Sequence, residues 1–221
     1  MSLCCECETS FARRDGVSNS KVTFHNGEGI TVADGLSKPQ DAGGPMGPVA
    51  VWGPYGAGKE QVSGLYAQSL AERGFLTIAF DPSFYGESGG RPRYLTSPEI
   101  STDDFSAAVD YLSTREDVDP QRIGICGICG WGGFALNAAA NDPRIRATIT
   151  STMYDMRRVN ARGYFAAMSA ADRYHPREEL HRLRGDTYRP VVHQHAGRAA
   201  EPVPPPSPAF RPTVPHTLPP A

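Results

Sequence analysis

The chain has 221 residues, 39% apolar and 21% charged, with a formal net charge of −2, which is room for one α/β domain with a substantial core. This balance excludes the concentrated basic surface of a nucleic-acid module, and no run approaches the 18 consecutive apolar residues that a membrane helix needs. Five cysteines, three of them crowded at Cys4, Cys5 and Cys7, do not read as a disulfide framework, and the first ten residues carry no apolar segment of secretory length; both point to the reducing cytoplasm.

Residues 1–20 show no apolar period and read as a disordered leader. Over Lys21–Leu36, Val22 and Phe24 alternate, then Ile30 and Val32, about a turn rich in Asn and Gly. This is a hairpin signal. Residues 37–48, dense in Pro and Gly, read as a connection. From Val49 the pattern becomes strand and helix in alternation. An apolar run ends at Trp52, and helical spacing follows at Val62, Leu65, Tyr66 and Leu70, with Gly74 at the stop position. A second strand covers 75–80. Phe105, Ala108, Val109 and Leu112 share a helical face, with Ser101 or Thr102 as the cap. Further elements are a strand at 123–126, a helix at 134–140 and a strand at 145–150. This rhythm predicts an α/β fold with a mostly parallel, doubly wound sheet. A short polar helix fits within 166–184. Residues 185–221, Lys-free and rich in Pro, Ala and Arg, read as a disordered tail; across the chain arginine outnumbers lysine 19 to 3.

Ligands of such sheets bind at the carboxyl ends of strands, where three loops carry unusual residues. The first, Gly53–Glu60, nearly matches a phosphate-binding loop, but Glu60 stands where a magnesium-binding hydroxyl belongs. A nucleotide site on Gly53–Lys59 is therefore one reading. The other is half of an oxyanion hole built on Gly53, Tyr55 and Gly56. In the second loop, Asp81–Gly90, Asp81 and Ser88 are candidate functional residues, although Ser88 fits a turn better. The third, Gly127-Ile-Cys-Gly-Trp-Gly-Gly133, joins a strand to a helix. A nucleophile on such an elbow is lifted out of the sheet and lies at a helix N-terminus, which favours a thiolate. Counted from the strand, the nucleophile position is Cys129; counted back from the helix, it is Trp131. Cys126 and Cys129 also form a Cys-x-x-Cys pair, but Cys126 lies inside the strand, which argues against redox chemistry, and a zinc site shared with Cys4, Cys5 and Cys7 would need the leader to reach the sheet. His193 and His195 have chelating spacing inside the expected tail, where composition alone accounts for them.

Together, Gly-Pro-Tyr-Gly (53–56), Phe-Asp-Pro-Ser-Phe-Tyr-Gly-Glu-Ser-Gly-Gly (80–90), Asp-Phe-Ser-Ala-Ala-Val-Asp-Tyr-Leu (104–112) and Val118–Gly133 resemble the α/β-hydrolase superfamily, in its dienelactone-hydrolase-like and X-Pro-dipeptidyl-peptidase-like branches. The resemblance runs over residues 21–165. It implies hydrolysis of esters, thioesters, lactones or amides of small-molecule acyl substrates, with Cys129 as nucleophile, Tyr55, Gly56 and Gly130 as oxyanion donors, and no cofactor or metal. In such hydrolases an acid and a histidine follow the nucleophile. No histidine after 150 stands in a matching context, so the resemblance implies a domain incomplete at its C-terminal end, cut short or frameshifted after about residue 165, and weak or absent activity. A non-catalytic remnant is the remaining alternative.

Overall fold

A computed structural model describes residues 14–195, in two units divided after Ala166. The first unit is built on a six-stranded sheet: β1 (Val17–His25), β2 (Thr31–Pro39), β3 (Pro48–Trp52), β4 (Leu76–Phe80), β5 (Gly124–Ile128) and β6 (Ala147–Ser151). Their order is β1-β2-β4-β3-β5-β6. The last four strands in that order are mutually parallel. The expected hairpin forms as β1–β2 and joins the sheet edge-on, β2 running antiparallel to β4.

The central strands are buried on both faces, and their alternation divides the core. One set of side chains, including Ala50, Trp52, Ile78, Phe80 and Ile125, packs under α2 (Pro98–Ser113) and α3 (Trp131–Asn141), chiefly through Phe105, Val109, Leu112, Phe134 and Ala138. The alternate set, Val49, Val51, Ala79, Cys126 and Ile128, meets α1 (Val62–Ala71) through Ala67, Val62, Tyr66 and Leu70. Helices therefore cover both faces, as the sequence rhythm requires.

The structure corrects four boundaries. β1 starts at Val17, inside the segment expected to be leader; it is an edge strand whose side chains, Val17 and Phe24 apart, are half-buried or exposed, so it lacks an apolar signal. α2 starts a turn earlier than expected, because Ser97 accepts the Ile100 N–H and Pro98 occupies the first helical position, where a missing N–H costs nothing. α3 begins at Trp131 rather than Phe134, its first turn hidden in the sequence by Gly132 and Gly133. After α4 (Met156–Arg162) and a short 3-10 turn (Tyr164–Ala166), the second unit contains α5, Ala170–His195, which runs ten residues past the point where the tail was expected to lose structure. Arg182 bridges Glu179 and Asp186 along this helix, pairs at the spacing that supports an exposed, polar helix. The rest of the expected tail, 196–221, lies outside the described residues.

Candidate active site at a strand-to-helix turn

β5 ends at Ile128 and α3 starts at Trp131, so the chain reverses within two residues. Cys129 makes that reversal with a φ of 60°, the left-handed region that a non-glycine residue adopts at a cost and keeps only where its surroundings demand it. The turn is closed by the Gly132 N–H donating to the Cys129 carbonyl at 3.1 Å. Gly127 permits it: a Cβ there would lie 2.7 Å from both the Trp131 carbonyl oxygen and the Ala135 Cβ, so helix and strand approach to a distance only glycine allows.

Cys129 is half-buried and free, whereas Cys126 is fully buried in β5. Burial pushes the Cys126 thiol up to about 11, leaving it without thiolate character at neutral pH. Trp131, the other sequence candidate for the elbow position, turns into the core. Its ring stacks on Trp52 with centroids 3.7 Å apart, and Tyr55 also stacks on it at 4.9 Å. The same Tyr55 ring lies 3.4 Å from where a Cβ of Gly130 would stand. Cys129, Gly130 and Tyr55 are thus neighbours. Gly130 is the N-cap of α3, and its N–H donates to no acceptor among the described residues, which leaves it at the positive end of the helix. Gly56 sits farther out in the same loop as Tyr55, with φ 79° and open space around it.

One group of contacts had no signal in the sequence reading. The segment that leaves β6 lies along the turn. The Ser151 carbonyl accepts the Cys129 N–H at 2.8 Å, Met153 packs where a Gly132 Cβ would be, and Met156 does the same at Gly130. Between the two methionines, the Tyr154 hydroxyl oxygen accepts the Cys129 thiol at 3.2 Å. That hydrogen bond, together with burial, pushes the Tyr154 phenol up to about 12. The available clue was position: these residues follow a strand's carboxyl end. Phe134, Leu136, Met153 and Met156 also line a cleft of ≈400 Å³ that reaches Gly130.

Tyr55 and Gly56 apart, the residues singled out in the other two loops are tied into the fold's own ion pairs and hydrogen bonds. Lys59 does not point to a phosphate: its Nζ is 2.9 Å from Asp81, 2.8 Å from Glu87 and 2.6 Å from Glu60. Burial alone pulls its pKa down, but the three carboxylates more than offset this and the net shift is upward. A lysine so neutralised has no charge to spare for a nucleotide. Asp81 also accepts the backbone N–H groups of Lys59 and Glu87, and Gly86 is required because a Cβ there would lie 2.2 Å from its carboxylate. Ser88 is a turn residue, its hydroxyl donating to the Asp81 carbonyl and accepting the Ala33 N–H. Buried Asp104 on α2 anchors the same loop through the Ser83 N–H and hydroxyl and the Asn26 amide. Among the described residues no cluster of His, Cys, Asp and Glu is arranged to hold a metal ion. His25, in the same unit, lies 3.3 Å from the Thr31 hydroxyl and is not hydrogen-bonded to Cys129.

Comparison with known proteins agrees with this geometry. The dienelactone hydrolase family matches residues 51–154, from β3 to Tyr154. The uncharacterized protein PA2218 of Pseudomonas aeruginosa is 52% identical over 181 residues, covering 81% of this chain and 49% of PA2218. Its crystal structure superposes with a TM-score of 0.80, covering 85% of this chain and 59% of that one. YcjY of Escherichia coli K12 is 55% identical over 94 residues, 42% of this chain and 31% of YcjY. The thiohydrolase aneE of Aspergillus aculeatus is 35% identical over 135 residues, 60% of this chain and 42% of aneE. The chain spans about half the length of PA2218 and less of the other two. The strand order, the elbow and these matches together show an α/β-hydrolase fold, in which the chain is similar to the dienelactone-hydrolase-like branch.

Proposed function

We propose that the chain carries the acyl-capturing half of a hydrolase of esters and thioesters, with Cys129 as the nucleophile. The observation that carries this reading is the left-handed Cys129 at the β5–α3 turn, with the unspent Gly130 N–H beside it. The Cys129 thiolate attacks an acyl carbonyl carbon. The oxygen that takes the negative charge is received by the Gly130 N–H, with the Tyr55 hydroxyl as the second donor and Gly56 allowing that loop its turn. The bond to the leaving alkoxide or thiolate then breaks, the leaving group takes a proton from water, and a thioester remains on Cys129. The name of the Aspergillus relative, a thiohydrolase, favours thioesters among the donors.

Release of the acyl group needs a base to activate water. With no histidine of the first unit hydrogen-bonded to Cys129 among the described residues, we expect that second half to be slow. Mixing the protein with p-nitrophenyl acetate tests the proposal. The expected result is one rapid burst of p-nitrophenolate, no larger than the protein concentration, that disappears in Cys129→Ala. A burst that survives Cys129→Ala would refute the assignment, and sustained turnover by the parent protein would refute the slow second step.

A further inference from the structure

The end of β6 and the segment following it meet the elbow four times in six residues: Ser151 at the Cys129 N–H, Met153 at Gly132, Tyr154 at the Cys129 sulfur, and Met156 at Gly130. Gly130 and Gly132 cannot gain a Cβ without colliding with the two methionines, at 2.7 and 2.6 Å, so the glycines and the methionines fix one another. Ser151 is itself held from α1, its hydroxyl 3.1 Å from that of Tyr66. Asp155 fixes the far end by accepting the Arg158 N–H as N-cap of α4. Tyr154, between these anchors, has its hydroxyl directed at the sulfur by backbone that is tied down on both sides.

We propose that Tyr154 is a positioning residue of the elbow, whose hydroxyl holds the Cys129 sulfur in place and donates a hydrogen bond to it once the thiol has ionised. This rests on the reading of Cys129 as nucleophile. In the thiol form the S–H donates to the phenol oxygen. When the thiol proton leaves to solvent, the phenol keeps its own and turns its O–H to the thiolate; no covalent bond forms or breaks at Tyr154. A hydrogen bond to an ionised partner is stronger than a neutral one, so the pair favours the thiolate. The other titratable groups around it are Tyr164, with its ring centroid 6.5 Å from that of Tyr154, Tyr55 against Gly130, Tyr66 behind Ser151, the capping Asp155, and Arg157 and Arg158 on α4. Among the described residues none of these is hydrogen-bonded to the sulfur.

The test is the pH profile of iodoacetamide alkylation at Cys129, followed by peptide-resolved mass spectrometry. Tyr154→Phe removes only the hydroxyl. Its profile is expected to move up by about one pH unit, roughly a tenfold loss of thiolate at neutral pH, with the alkaline plateau rate unchanged and Cys126 still protected. Tyr154→Leu, which also lacks the hydroxyl, should move the profile as far. An unmoved midpoint in Tyr154→Phe overturns the proposal while leaving Cys129 as nucleophile. Rapid labelling of Cys126 in Tyr154→Phe overturns it too, because the side chain would then be holding the fold rather than the sulfur. A nitrophenolate burst retained by Cys129→Ala removes the nucleophile, and the proposal with it.

Discussion

Two buried charged groups show how single residues set the stability of this fold. Lys59 and Asp81 are 4% and 2% exposed at their side chains, and Lys59, which also pairs with Glu60 and Glu87, is the cation that compensates Asp81 for leaving water. Lys59→Met leaves the Asp81 carboxylate buried without a counter-ion, and the expected cost is about 3 kcal/mol, read as a lowered urea midpoint. Asp34 is the opposite case. It lies in β2 between Val22 and Phe80, fully buried, and neither carboxylate oxygen reaches a hydrogen-bond partner. Burial holds its pKa well above the usual carboxylate range, and the attraction of Lys59 and the nearby Gly35 and Ala79 amides offset this only in part. Because the folded-state pKa is raised, the Asp34 contribution is fully present below the unfolded-state value of about 3.9 and is lost as pH rises through the folded value. Asp34→Asn cannot ionise, so its Tm should gain on the parent as pH is raised from 5 to 8. A constant difference across that range would show that the carboxyl does not titrate in the folded chain. None of this was legible beforehand, since a lone Asp in a strand pattern does not say which face it takes. Cys129 was visible, but its register was not: the glycines at the start of α3 hid the helix boundary from which it had to be counted.

Among the elements, legibility followed burial. Three of the parallel strands, β3, β4 and β5, are near-continuous apolar runs because both of their faces are covered, and such runs can be read without partners. The β1 edge, with mostly half-buried and exposed side chains, could not be read that way until its pairing with β2 was seen. The segment after β6 was illegible for a related reason: Tyr154 and Cys129 are 25 residues apart, and the contact depends on how a loop returns to the sheet. The close approach of α3 to β5 gives the clearest prediction. Gly127→Val would drive a side chain into the Trp131 carbonyl and Ala135, displacing α3 from β5. The expected destabilisation is about 1–3 kcal/mol from overpacking, and the acyl burst should fall further than stability does, because the Cys129 turn moves with the helix. A variant with the parent's burst and Tm would mean that the helix can slide without disturbing the turn.

In the first unit as a whole, the sheet ends in two very different edges. β1 presents polar residues and a Lys21–Glu87 ion pair, the charged dressing that discourages pairing with other chains. β6 presents Thr148, Ile149 and Thr150 with no charge among them, Ile149 being 47% exposed, and Leu136 of α3 and Met153 are comparably open. An edge of this kind is a template for association. Concentration-dependent self-association is therefore expected in light scattering, and Ile149→Lys should reduce it without changing the burst. Equal scattering by parent and variant would place the association elsewhere. The account as a whole depends on one atom, the Cys129 sulfur. Its most direct test is to quench the protein after one burst of p-nitrophenyl acetate and map the acetyl group by peptide mass spectrometry. The account predicts acetylation of the peptide containing Cys129, with Cys126 unmodified and no adduct at that site in Cys129→Ala. Acetyl on any other residue in proportion to the burst would contradict it.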